Sequence, residues 1–346
     1  MTPPGHSEPL TGHAEPIGHA EPVGHAEPIG HAEPIGHAEA IGHAEPVLGT
    51  VVAVTVIPGA LAPAAARDAI AAACAGLHQA DVIFSTWEPA SPVSRLRRGE
   101  ATLAAMPPEV GEVLGLCRAA RTASGGWFDP WAMPGGVDPT GLVKGWAVQR
   151  AADRLRAAGV AAALINGGGD LTVFGSPEPE PKPEPKPEPK PERGPGQAPG
   201  QGQGWRVGIR HPWRPDALAC VVEARGAVAT SAGYERGGHL IDPGSGRPAT
   251  RTASATVTGP SLALADALAT GLAVGGDDAL AAVAGLAEYE GYLIRPDGTE
   301  ASTRGFPFAQ ATGAAAVAEG SAATVKKLFE ATHHGPPDLE RMPPKP

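Results

Sequence analysis

VDPTGLVKGWAVQRAADRLRAAGVAAALINGGGD, residues 137–170, couples a polar loop, a helix, a buried strand and a glycine-rich turn in one short unit. Val148, Ala151, Ala152 and Leu155 recur at helical spacing, while Gln149, Arg150, Asp153, Arg154 and Arg156 take the opposite face. Gly159 stops the helix. At its start Thr140 is a candidate cap, and the unpaired N–H groups around Gly141 make a place for an anion. Lys144 lies in that first turn, where a cation opposes the helix dipole, so its role is read as pairing with something negative. Asp138 suits a hydroxyl, a ring N–H or a cation. The run VAAALI then reads as a buried strand, and Gly167 to Gly169 let backbone approach a ligand closely. The common nucleotide motifs do not fit: Val143 precedes Lys144 and Gly145 follows it, unlike a Walker A loop, and GGG is not GxGxxG.

Outward from this unit, much of the chain cannot pack. Residues 5–46 repeat GHAEPI or GHAEPV with a six-residue period, and a Pro in nearly every copy blocks helix propagation. Residues 1–46 are therefore expected to be a disordered, separable tail, its regular His and Glu able to bind a transition metal weakly. Residues 176–204, of Pro, Glu and Lys followed by Gly and Gln, read as a disordered insertion expanding a hairpin loop. Residues 311–346 read as a mostly disordered C-terminal tail. Between them, 47–310 forms one domain with roughly 230 residues able to build a core. A net charge of −10 argues against nonspecific nucleic-acid binding. Cys74, Cys117 and Cys220 are too few and too scattered for a disulfide framework or a zinc cluster. No run approaches the length of a membrane span and no signal peptide is visible, so a cytoplasmic location is expected.

In chain order, LGTVVAVTV (48–56) reads as an entry strand and 60–85 as a helix on which His78 is an ordinary residue, since a histidine makes a site only with partners. STWEPASPVSRLRRGE (85–100) reads as a loop. Its Trp87 and Arg95 are types that hold a flat ring and a phosphate, though such surface loops are common. A second helix, from Pro107, delivers the chain to GGWFDPWAMPGG, where Trp127, Phe128 and Trp131 beside Asp129 form a core plug or a stacking wall; their Gly and Pro neighbours favour the wall. After the insertion come three strands, with Thr230 and Ser231 near the end of the last. In HLID, His239 is either a hydrogen-bonded strand histidine or a proton carrier. From Ser261 a helix of Ala and Leu carries Asp266 and Thr270 four residues apart on one face. A buried Asp there needs a partner, either backbone N–H groups or a hard cation such as Mg2+.

The order of these segments resembles the FAD:protein FMN transferases of the ApbE family. The resemblance covers about 48–306 and rests on LGTVVAV, where the family has Met-Gly-Thr, then FSTWEPASPVSRL, GWFDP, VDPTGLVKGWAVQRAADRL, ALINGGGDLTVFG, WRVGI, ATSAGYERGGHLIDPGSGRP and ATVTGPSLALADALATGLAV. It implies an α+β fold, a tunnel-fold-like single domain with mixed sheets and flanking helices. It further implies a Mg2+-dependent transfer of FMN from FAD to a Thr or Ser hydroxyl of an acceptor protein, with release of AMP. Carried over by motif, Asp138 and Lys144 contact FAD, and the Gly141 carbonyl with Asp266 and Thr270 holds Mg2+. Trp127, Phe128 and Asp129 line the site with Trp87, Leu48 stands where the family's Met touches the flavin, and Ile241 packs nearby. His239 handles the proton, with Asp266 as a catalytic partner. Hydrolysis of FAD to FMN and AMP, a non-catalytic FAD-binding module, and a metal-buffering protein working through its histidine tail are the competing functions.

Overall fold

Helix periodicity and strand alternation in the chain produce a three-layer body, described here from a computed structural model covering residues 40–177, 204–232 and 240–309. The expectations about residues 1–39, most of the 176–204 insertion, His239 and the C-terminal tail lie outside these residues. The elements run β1 (Ile41–Val47), β2 (Thr50–Ile57), α1 (Pro63–Phe84), α2 (Pro92–Arg97), α3 (Pro108–Ala123), α4 (Thr140–Ala157), β3 (Ala162–Gly167), β4 (Asp170–Phe174), β5 (Trp205–His211), β6 (Arg214–Ala224), β7 (Ala227–Ala232), β8 (Ile241–Asp242), β9 (Arg247–Pro248), β10 (Ser254–Gly259), α5 (Leu262–Gly275), α6 (Asp277–Ala284), β11 (Glu290–Ile294) and β12 (Glu300–Ser302). An eight-stranded sheet has the order β1-β2-β3-β4-β7-β10-β11-β12, open at both ends, and its pairings are antiparallel.

Period-2 alternation divides the core between the two faces. On β4, Phe174 points to the helical side with α1, α4 and α5, while Leu171 and Val173 join the other side, where the β5–β6 hairpin contributes Val207, Ile209 and Val222. Val52, Val54 and Val56 of β2 and Ala227 and Ala229 of β7 also face the helices. Helix α1 packs on α4 through the edge-to-face pair of Phe84 and Trp146, with centroids 5.4 Å apart. This is the expected α+β architecture.

The details differ from the sequence reading in four places. The entry strand starts inside the repeat: Ile41–Val47, the last copy and the residue before it, pairs with β2 from Thr50 to Val56, so the tail boundary at 46 cuts through β1. Among the described residues β1 is the sheet's edge strand, where Pro46 is tolerated because a missing N–H costs no ladder bond. Leu48 is not in a strand but in the two-residue turn of this hairpin, with φ of 55° followed by 69° at Gly49. A left-handed leucine is strained, and such strain collects at functional positions. The strands flanking the insertion are not partners, since β4 lies in the main sheet and β5 pairs with β6; the segment therefore connects two sheets and is not a hairpin loop. Finally, the 85–100 loop contains α2, started by Ser91, whose hydroxyl accepts from Ser94 N, and by Pro92 in the first turn.

Candidate active site

Helices α4 and α5 cross where Gly145 meets Leu262 and Asp266. A Cβ on Gly145 would lie 2.5 Å from the Leu262 carbonyl oxygen and 2.8 Å from Asp266 Cβ, so only glycine lets the two backbones approach this closely. The approach puts Asp266 Oδ2 2.9 Å from Gly145 N, which donates to it. In an α-helix that same N–H points at the carbonyl four residues earlier, here Gly141. The Gly141 carbonyl and the Asp266 carboxylate thus converge on one donor. Thr270, one turn beyond Asp266, lies against Gly141, its Oγ1 3.5 Å from where a Cβ would stand, and its hydroxyl is 3.3 Å from Ser231 Oγ at the end of β7. Gly141, Asp266 and Thr270 are therefore brought together, with Ser231 as a further oxygen beside them.

The partner of Lys144 is Asp170, the residue that ends the opening stretch. Lys144 Nζ is 2.6 Å from Asp170 Oδ2, and Thr230 N donates to Asp170 Oδ1 at 3.1 Å. Asp170 is 1% exposed and Asp266 4%. Burial pushes the Asp266 carboxyl well above the usual carboxylate range, and the neighbouring Asp170 pushes it further, against the pull of Lys144 and the Gly145 N–H. Asp170 is raised as well, chiefly by burial, with Lys144 opposing. Burial of two carboxylates beside one lysine favours their protonated forms, and a divalent cation would compete with that proton. The donors, a carboxylate, a hydroxyl and a backbone carbonyl, are all hard oxygens, so the site fits Mg2+.

The other expected residues are distributed around this centre. Phe128 is buried between Gly141 of α4 and Gly271 of α5, its ring 3.2 Å from a Gly141 Cβ position. Trp127 packs against Gly275, further along α5, with the Arg251 guanidinium 5.0 Å from its ring centroid. Asp129 is committed to structure: it pairs with Arg121 at 2.7 Å and accepts from Trp131 N in a short 3-10 turn. Pro139, not Thr140, is the N-cap of α4, and Asp138 just before it holds Thr140. Asp138 Oδ1 accepts from both Thr140 N and the Thr140 hydroxyl, and its Oδ2 pairs with Arg97 of α2 at 2.7 Å. Leu48 turns beside the β3–β4 turn, where Thr50 Oγ1 lies 2.7 Å from a Gly168 Cβ position. Ile241 is half-buried in β8, against α5. Trp87 is 89% exposed. Asp170, Ser231 and Arg97 were not among the sequence candidates. Lys144 already required an anion, and the end of NGGGD was the place to look for one.

The ApbE family model matches residues 48–136 and 133–293. The FAD:protein FMN transferase of Rhodobacter capsulatus is 32% identical over 151 residues, covering 41% of this chain and 24% of that protein. The FAD:protein FMN transferase of Vibrio cholerae is 31% identical over 159 residues, 43% of this chain and 41% of the relative. The matches thus span less than half the length of either curated relative. Among solved structures, the flavin transferase ApbE from Vibrio cholerae superposes with a TM-score of 0.61 at 22% identity, covering 78% of this chain and 98% of that one. The ApbE protein from Thermotoga maritima gives 0.62 at 19% identity, over 77% and 98%. At those identities the structural likeness speaks for the fold.

Proposed function

Since the chain belongs to the ApbE family, we propose that it transfers the FMN half of FAD to a Thr or Ser hydroxyl of an acceptor protein. The reading is supported by one observation above others: Gly141, Lys144, Asp170, Ser231, Asp266 and Thr270, from segments more than a hundred residues apart at the extremes, meet around a buried excess of carboxylate. The acceptor oxygen attacks the phosphorus on the FMN side, the bond from that phosphorus to the bridging oxygen breaks, and AMP leaves. The attacking hydroxyl gives up its proton to a base, for which His239 and the Asp170–Asp266 pair are the candidates. Asp266, Thr270 and the Gly141 carbonyl would hold Mg2+, which supplies charge stabilisation for the pyrophosphate. Lys144 adds positive charge on the same side. Positioning and electrostatics carry most of such a reaction.

The test is incubation with FAD, Mg2+ and a candidate acceptor, following in-gel flavin fluorescence and AMP release together. A fluorescent acceptor with matching AMP supports transfer. AMP without labelled protein points to hydrolysis, and FAD binding with neither product points to a binding module.

A further inference from the structure

The last copy of the repeat brings a second cluster together on the helical side of the sheet, away from the α4–α5 crossing. His43 and Glu45 are two residues apart on β1 and so share a face, and Cys74 and His78 are four apart on α1 and share another. The strand packs on the helix, so the two pairs meet. Donor atoms of His43, Glu45 and Cys74 all lie within 4.8 Å of one another. His43 Nε2 is 2.8 Å from Glu45 Oε2, and His78 Nε2 is 2.7 Å from Glu45 Oε1. Cys74 is buried, while both histidines are open to solvent beside a cavity of about 510 Å³ that gives an ion a way in.

We propose that this cluster is a zinc site, with His43, Glu45, Cys74 and His78 as its ligands. A thiolate, two imidazoles and a carboxylate make a borderline-soft set of four, suited to Zn2+ and not to Mg2+. Zinc bonds of about 2.0–2.3 Å place tetrahedral donors about 3.3–3.8 Å apart, so His43, Glu45 and Cys74 need only close in from within 4.8 Å, while His78, which touches Glu45 and lies outside that set of three, must turn further to join them. Binding releases the Cys74 thiol proton to solvent. The ion would fasten the edge strand to α1 and anchor the end of the repeat on the domain.

The test uses the full chain, stripped of metal by a chelator and titrated with Co2+ as a spectroscopic substitute. One equivalent should produce a thiolate-to-cobalt charge-transfer band with tetrahedral visible bands, and Zn2+ should displace both. Cys74→Ser should remove the charge-transfer band. His78→Ala, at an exposed position, should weaken binding by at least about tenfold. Replacing His13, His19, His25, His31 and His37 together with Gln should leave the band in place. Cobalt bound without a thiolate band would mean that the repeat histidines alone hold metal. That result overturns the proposal, as does the absence of binding or a band that survives Cys74→Ser.

Discussion

Asp266 sits in a helix of alanine and leucine with its carboxyl away from water, and its raised proton affinity follows from that placement. A carboxyl whose folded-state pKa is raised favours folding when protonated. That contribution is complete below the unfolded pKa and is lost as pH rises through the folded value. Without added metal, stability should therefore fall as pH rises above the usual carboxylate range. Asp266→Asn should flatten this dependence and leave the protein at least as stable in thermal melts at pH 8. The same substitution should cut Mg2+-dependent transfer by about 10²-fold or more, the scale of losing one preorganised electrostatic group; an unaffected rate would remove Asp266 from the metal site. Lys144→Met leaves Asp170 buried without its cation. It should destabilise by about 3 kcal/mol, the low end for a broken buried pair because Lys144 is partly exposed. Adding Asp170→Asn should recover most of that in urea melts, a coupling that independent sites would not show.

At the level of elements, the α4–α5 crossing depends on Gly145. Gly145→Ala should cost about 1–3 kcal/mol by overpacking and, by displacing Asp266, lower transfer more than the stability loss accounts for. Both quantities are read on one preparation from a urea melt and an initial-rate assay. Helices α1, α3, α4 and α5 were legible because their apolar residues repeat over several turns. Helix α2 was not, being only six residues long, although Ser91-Pro92 at its start is a recognised signal. Strand β1 was hidden by its origin in a Pro-bearing repeat. The repeat's composition argues for an unfolded chain, and only pairing with β2 overrides it at the final copy. The cap expected at Thr140 falls one residue earlier, at Pro139, which is the usual error at a helix boundary.

For the molecule as a whole, the described sheet begins inside the repeat, at β1. Removing residues 1–39 should leave flavin transfer and Tm unchanged. Removing 1–46 takes away β1 and uncovers the hydrogen-bonding edge of β2, and should lower Tm by at least about 5 °C in a thermal scan. No helix among the described residues is long and apolar enough to cross a membrane. The stretch 137–170 by itself determined a helix, a strand, a glycine turn and a lysine in need of an anion, because spacing and backbone chemistry are local. Tertiary structure decided that the anion is Asp170 and that Gly145 N–H reaches Asp266, a residue 121 positions away in the sequence. It also decided that the last repeat copy is a strand carrying His43 and Glu45 onto α1. These outcomes depend on how closely two helices and a sheet can approach, and that distance follows from packing between segments remote in the chain.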